Sequence, residues 1–494
     1  MFHISNMKAC IMKIVCITPA SDFRRFSMYR LGNKFYGHSN SITGPLILGH
    51  ILKDAGHEVS VYEELYKDID YETIKDADVY LIHTMTSSAS RAYEIADWVH
   101  KETKGRVLIG GIHASAMPEE AAEHADQVMI GEGELVIKDV VEGRIKDRII
   151  HCPSPGNLDE VPFPDYSLLR TPCECANVLT TRGCPFSCTF CTTSRMYHPY
   201  RERSVNSVIE ELRYYKGLGF KYMNFEDDNF TANKERAKEI CKRMIAEGLT
   251  FKETFFFGRT DLARDEELME LLQKAHLTRV LVGIESLNQK SLDVINKHQN
   301  IEDITKCAHL LAKHKIRLIA SLVLGIDTDG PEDIQKAVTF TKKIHAYQLQ
   351  PAILTPFPGT PVYQQFEKEH RMISHRWSNF DMMSVTFVPK RMTPWELQMQ
   401  FLKAARRFYS FSSSFAIGRI FGITYGLRRM GLSILVKMGS PAMKIASLCA
   451  KKTCYYSIRH WEPSPSVKPG TQAVLLPDYT PRRNTLKLER LHDK

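Results

Sequence analysis

Several things are missing from this chain of 494 residues, and each absence narrows what it can be. It has no run of roughly twenty predominantly apolar residues, the length a helix needs to span a bilayer, so no transmembrane helix is expected. Met1 to Cys16 include Lys8 and Lys13 but no clean apolar core with a small-residue cleavage site, so no signal peptide is expected. There is no low-complexity run and no internal repeat beyond an alternation of strand and helix patterns. Cysteine is sparse: 12 over this length do not make a secreted disulfide scaffold, and the cytoplasm is the expected compartment. No appended basic domain is recognisable, so nucleic acid is not an expected partner. What remains is an ordinary globular composition, 43% hydrophobic and 25% charged, enough for two or three domains. The net charge of +9 gathers toward the C-terminal part, where anionic lipid or anionic small molecules could meet it.

The most informative stretch is Thr181-Arg182-Gly183-Cys184-Pro185-Phe186-Ser187-Cys188-Thr189-Phe190-Cys191. Three cysteines at C-x3-C-x2-C lack a fourth nearby. Three thiolates from one short loop suit three irons of a [4Fe–4S] cluster, and the remaining iron is then free to bind a small molecule, as open positions do in catalytic metal sites. A zinc knuckle or an incidental cysteine cluster is the alternative. With Phe190 in the aromatic slot before Cys191, the loop resembles the signature of the radical SAM superfamily. That resemblance implies that Cys184, Cys188 and Cys191 ligate the cluster and that S-adenosylmethionine (SAM) binds the open iron. One-electron cleavage of SAM would then give a 5′-deoxyadenosyl radical. Cys152, Cys173 and Cys175 lack a fourth partner at a sensible spacing and read as ordinary thiols.

Before this loop, strand patterns at Lys13–Pro19, His57–Tyr62, Val79–His83, Arg106–Gly111 and Gln127–Glu134 alternate with helical segments. That order predicts a doubly wound parallel sheet, with glycine turns at strand ends where a ligand can approach the backbone. Gly110-Gly111-Ile112-His113-Ala114-Ser115-Ala116-Met117-Pro118-Glu119-Glu120 and Gly131-Glu132-Gly133-Glu134 resemble the cobalamin-binding domain that precedes many radical SAM domains. The resemblance implies a corrinoid near Gly110, Gly111, Gly131 and Gly133, with the hydroxyls of Thr86 and Ser87 near its nucleotide tail. The D-x-H-x-x-G motif, whose histidine can ligate cobalt, is absent; after the first strand stand only Ser21-Asp22-Phe23. His113 is expected to be structural.

A proline-rich linker is expected over residues 144–174. From residue 175 to about 360 six further strand–helix units predict a (βα)6 partial barrel with its site at the strand C-termini. Expected strands are Ala176–Thr181, Tyr222–Glu226, Thr254–Gly258, Arg279–Ile284, Arg317–Gly325 and Leu349–Pro356. The second ends in Glu226, Asp227 and Asp228, which cannot all be buried without a cationic partner. By resemblance, Glu226 or Asp227 meets the SAM amino group. Arg259 can pair with a carboxylate, and the resemblance makes that the carboxylate of SAM. Glu285 would bond the ribose hydroxyls or amino group, and the strand around Ser321 would pack on the adenine. Lys297 is given no role.

Leu354 to Tyr363 and Arg391 to Leu397 are similar to the group that includes the hopanoid methylases and the anaerobic magnesium-protoporphyrin ester cyclase. The expected fold is therefore α/β: an N-terminal cobalamin-binding-like doubly wound sheet (1–143), a linker (144–174), a radical SAM (βα)6 partial TIM barrel (175–360), a C-terminal helical extension (361–460) and a disordered tail (461–494). The extension is apolar with interspersed Arg and Lys. It suits a membrane interface, a cap over a hydrophobic substrate, or a subdomain packed on the barrel.

The resemblance implies cobalamin-dependent methylation of an unactivated carbon in an apolar or lipid-like substrate. A reducing donor such as flavodoxin or ferredoxin is then needed. Oxidation or cyclisation without methyl transfer is the alternative within the family. A non-catalytic iron–sulfur module is the alternative outside it, and leaves Glu226, Arg259 and Glu285 unexplained.

Overall fold

The computed structural model describes residues 11–21, 24, 38–449 and 458–459. Residues 25–37, which include Arg25, Arg30 and Lys34, and the tail from Trp461 lie outside the described residues.

Two six-stranded parallel sheets organise the chain. The first contains β1 (Lys13–Thr18), β2 (Glu58–Glu63), β3 (Val79–His83), β4 (Arg106–Gly110), β5 (Gln127–Gly131) and β6 (Ile149–Cys152), in the order β2-β1-β3-β4-β5-β6. Its central strands β1, β3 and β4 are apolar on both faces because helices cover both. Alternate residues of β1 serve two cores. Ile14 and Cys16 pack with Leu46 and Leu52 of α1 (Thr43–Asp54), while Val15 and Ile17 pack with Ile95 and Val99 of α2 (Ala89–Glu102). The order reverses between β1 and β3, the place where such sheets bind ligands. β6 falls in the segment expected to be a linker. It is only four residues long and runs into Pro153, too short to announce itself by periodicity, but it pairs with β5 from Val128↔Ile149 to Gly131↔Cys152.

The second sheet has the order β14-β13-β12-β11-β10-β7 and does not close. Its strands are β7 (Cys175–Val178), β10 (Tyr222–Phe225), β11 (Glu253–Gly258), β12 (Leu277–Glu285), β13 (Arg317–Leu324) and β14 (Gln348–Ile353). Between β7 and β10, a two-stranded antiparallel hairpin of β8 (Thr181–Arg182) and β9 (Arg201–Glu202) brackets the cysteine loop. The outer helices are α3 (Val205–Gly217), α4 (Lys234–Ala246), α5 (Glu266–Lys274), α6 (Ile301–Lys313) and α7 (Pro331–Lys343). Ser204, Asn233, Asp265 and Asn300 each accept a backbone N–H from the first turn of α3 to α6. These are the residue types whose oxygens satisfy donors a helix start leaves unpaired.

Beyond the barrel, α8 (Pro394–Phe408) begins with a reciprocal Thr393–Glu396 capping box. Then α9 (Phe411–Phe421) and α10 (Ile423–Cys449) form a hairpin. Gly418 and Gly426 let them touch: a Cβ on Gly426 would stand 2.8 Å from the Gly418 Cα. Buried Arg429 donates to the carbonyls of Ala346 and Tyr347, and Lys315 to that of Ile420. These acceptors and donors precede β13 and β14, so the hairpin docks at the N-terminal end of the barrel. A cap over the substrate is thereby corrected: a site at the strand C-termini lies at the other end. No helix among the described residues is long and apolar enough to cross a membrane.

Candidate functional site

The C-terminal ends of the two sheets face each other across a cavity of about 310 Å³. One wall comes from the ends of β3, β4 and β5, with His83, Gly110, Gly111, Gly131 and Gly133; the other carries Thr181, Arg182, Gly183, Glu226 and Asp228. The glycine turns are tied together by Ser115, whose hydroxyl donates to the Gly111 carbonyl (2.9 Å) and accepts from the Gly131 N–H (3.0 Å). Gly111 has φ +103°, and a Cβ there would lie 2.7 Å from the Thr84 carbonyl oxygen. Only glycine takes both the angle and the space.

The walls are held by an ion network that the sequence did not announce. Arg182 donates to Glu132 (2.5 Å) and to Glu134 (2.6 Å), and Arg201 also pairs with Glu132. All four side chains are at least nine-tenths buried. The Arg pair holds the Glu132 carboxyl below its usual range despite burial. The glutamates of the Gly-Glu-Gly-Glu stretch thus grip the hairpin that carries the cysteines. His113 is fully buried between Thr86 (3.4 Å) and Glu120 (3.4 Å), and Glu120 accepts from the Trp377 indole at 2.7 Å. This histidine is structural and staples the extension to the N-terminal sheet.

Within the cysteine loop, Gly183 has φ +81°, and a Cβ there would lie on the Tyr197 carbonyl. Asn296 donates to the Ser187 carbonyl (3.1 Å) and hydroxyl (2.8 Å), and Thr189 N–H donates to Ile295. Burial pushes the Cys184 thiol up to about 11; the Cys188 thiol is also raised by burial, against a pull down from Lys297 and Arg259. Among the described residues no three ligating side chains are placed to share one metal ion. Three cysteines from one short loop suit three irons of a [4Fe–4S] cluster. Phe190 is half-buried and packs on the core.

The other expected residues fall into two groups. Glu226 and Asp228 line the cavity; desolvation, with Asp227 and Glu63 nearby, pushes Glu226 up to about 8, whereas Asp228 is open to solvent and is raised less. Asp227 is different. It is fully buried and accepts from the N–H and hydroxyl of both Thr180 and Thr181. Its carboxylate is saturated and pins the start of the cysteine hairpin, so it is closed to a ligand. The sequence could not rank three consecutive carboxylates, because only the fold decides which of them faces in.

Around the barrel mouth, Arg259 lies over the Phe186 ring at 3.8 Å and donates to the Lys297 and His298 carbonyls. Its remaining N–H groups have no protein acceptor among the described residues. Glu285 has φ +62°, follows a register shift in β12, and accepts from Lys297 at 2.6 Å. A left-handed glutamate at a strand end is strained backbone of the kind found at functional sites. Lys297, which the sequence left without a role, and Phe186 are the additions here. Ser321 stands half-buried in register with Gly283. Thr86 turns to His113, and neither it nor Ser87 joins the lining of the cavity.

The comparisons with known proteins agree with this layout. The family described as the Radical SAM superfamily matches residues 178–341, and the B12 binding domain matches residues 42–141. Bacteriochlorophyllide d C-8(2)-methyltransferase of Chlorobaculum tepidum is 29% identical over 72% of this chain and 82% of its own. The anaerobic magnesium-protoporphyrin IX monomethyl ester cyclase of Cereibacter sphaeroides is 27% identical over 61% of this chain and 55% of its own. The radical SAM methyltransferase TsrM from Kitasatospora setae, solved with cobalamin and a [4Fe-4S] cluster, aligns with TM-score 0.62 at 14% identity, over 87% of this chain and all of that one. Two facing parallel sheets, a three-cysteine hairpin on one and glycine turns on the other thus coincide with a Radical SAM domain that follows a B12 binding domain in this chain.

Proposed function

We propose that this chain is a radical SAM enzyme that methylates an unactivated carbon of an apolar or lipid-like small molecule with the help of a corrinoid. The observation that carries the reading is the cavity itself, which sets the cysteine hairpin against the glycine turns and locks the two walls through Arg182, Arg201, Glu132 and Glu134. An unactivated carbon is no nucleophile and cannot take a methyl group from SAM directly, so the cofactors carry the difficult chemistry. When bound, the cluster and SAM supply a radical able to remove hydrogen from such a carbon, and the corrinoid supplies a methyl group.

This chain's own residues hold and orient. Cys184, Cys188 and Cys191 are assigned to three irons. Glu226, facing the cavity, receives a cation, and Asp228 stands beside it. Arg259, with N–H groups that meet no acceptor among the described residues, receives a carboxylate. Glu285 orients a hydroxyl or amine while Lys297 neutralises it. Ser321 and Phe190 shape the adenine side and the loop. Gly110, Gly111, Gly131 and Gly133 admit a flat ring to the backbone, and Ser87, with Thr86 behind it, is assigned to the nucleotide tail.

A second reading, oxidation or ring closure without methyl transfer, is favoured by the likeness to the ester cyclase. Trideuteromethyl-SAM separates the two. The reconstituted enzyme, incubated anaerobically with reductant and an organic-solvent extract of apolar metabolites, is expected to move label into an extractable product. Deoxyadenosine without label transfer would favour the second reading.

A one-electron donor such as flavodoxin or ferredoxin in the cytoplasm completes the reaction. The α9–α10 hairpin supports peripheral contact with a membrane. Phe415, Ile423, Leu427 and Met438 are exposed on it, and no Asp or Glu occurs between Glu396 and Glu462. Apolar residues mixed with cations suit an anionic bilayer surface.

A further inference from the structure

His83 is the last residue of β3, at the reversal of strand order beside β1. It lines the cavity between the sheets, on the wall of the N-terminal domain. Its Nδ1 is buried without a hydrogen-bond partner, and the ring makes no hydrogen bond or ion pair to any described residue. A buried polar atom left unpaired is costly and calls for an explanation. The ring edge lies close to the Gly111 turn: a Cβ on Gly111 would stand 3.0 Å from His83 Cδ2. Burial also keeps the imidazole neutral, lowering it to about 4, so a ring nitrogen lone pair is available at neutral pH.

The other possible ligands on the cavity wall are less suitable. Burial keeps Cys16 a protonated thiol, pushed up to about 12. Glu132 and Glu134 are held by the two arginines. Glu226 and Asp228 belong to the opposite wall, with the cysteine hairpin. Meanwhile the sequence that follows β1 carries no D-x-H-x-x-G motif; Ser21, Asp22 and Phe23 stand where it would begin.

We propose that His83, reaching the cavity from the end of β3, is the axial nitrogen ligand to the cobalt of the bound corrinoid. The inference rests on the reading of the N-terminal domain as a corrinoid site. It gives the chain a histidine ligand on a different strand from the usual motif. Because no carboxylate or carbonyl among the described residues backs the other ring nitrogen, the ligand is a weak and exchangeable one.

The test uses the full-length protein loaded with cobinamide, a corrinoid without its own nucleotide base, reduced to Co(II) and read by electron paramagnetic resonance. The cobalt lines are expected to split into triplets from one nitrogen. Protein grown on 15N-histidine should turn them into doublets. His83→Gln should leave them unsplit with corrinoid still bound. Unsplit lines in the native protein with corrinoid bound, or splitting that survives His83→Gln, would overturn the assignment. Absorbance after gel filtration reports retention separately: a protein that retains no corrinoid would overturn the cobalamin reading and this assignment with it.

Discussion

Glu226, on the cavity wall, and Glu63, at the end of β2, are two carboxyls that burial lifts to about 8. A carboxyl raised in the folded state adds stability that is complete below its unfolded value, near 4.5, and is lost as pH rises through about 8. The cofactor-free protein is therefore expected to melt progressively lower between pH of about 5 and 9. SAM presents a cation, which favours the ionised form of Glu226. Its affinity should rise over the same window by up to about tenfold per pH unit for one released proton, and Glu226→Gln should flatten that slope in a calorimetric titration. At the barrel mouth, Lys297→Met strands the Glu285 carboxylate in a buried place. The expected cost is about 3–5 kcal/mol by denaturant unfolding, with most of it recovered when Glu285→Gln is added. An unchanged Lys297→Met protein would mean that the pair is looser than its 2.6 Å contact suggests.

At the scale of elements, the strands and helices of both sheets were largely legible. Parallel strands buried on two faces read as continuous apolar runs, and Val79–His83 and Arg317–Leu324 stand out on that ground alone. β6 was hidden because four residues before a proline carry no period. The end of a strand was visible in the sequence, but not which side chains turn inward there. Glu226 and Asp227 looked equivalent until the Thr180 and Thr181 donors closed the second. The Arg182–Glu132–Glu134–Arg201 network was invisible because its members lie far apart in the chain and charged residues carry no mark of burial.

The α9–α10 hairpin yields a prediction at this same scale. Full-length protein should float with anionic vesicles and not with zwitterionic ones, less so as salt rises. Phe415→Ser with Met438→Ser should weaken flotation severalfold without lowering SAM binding, since the hairpin docks at the far end of the barrel. Equal flotation of the double variant would remove the membrane contact.

For the whole molecule, the arrangement matters more than either domain. A radical formed at the cysteine loop is of use to a methyl donor only if the two walls keep their spacing. Four side chains and the Trp377–Glu120 contact set that spacing. Arg201→Ala leaves Glu132 with one partner and is expected to cost about 1.5–3 kcal/mol. Limited proteolysis should show the two sheets separating at lower denaturant, while each remains folded. Methyl transfer should then fall further than SAM cleavage, because cleavage needs the barrel alone and transfer needs both walls.

The measurement that bears most directly on the central claim is a product assay under anaerobic conditions. Protein reconstituted with iron, sulfide and cobalamin is given SAM and a strong reductant, and deoxyadenosine and adenosylhomocysteine are quantified by mass spectrometry. Both products are expected from the native chain and neither from Cys188→Ala, whose N-terminal sheet should still retain corrinoid. Undiminished deoxyadenosine from Cys188→Ala would contradict that claim.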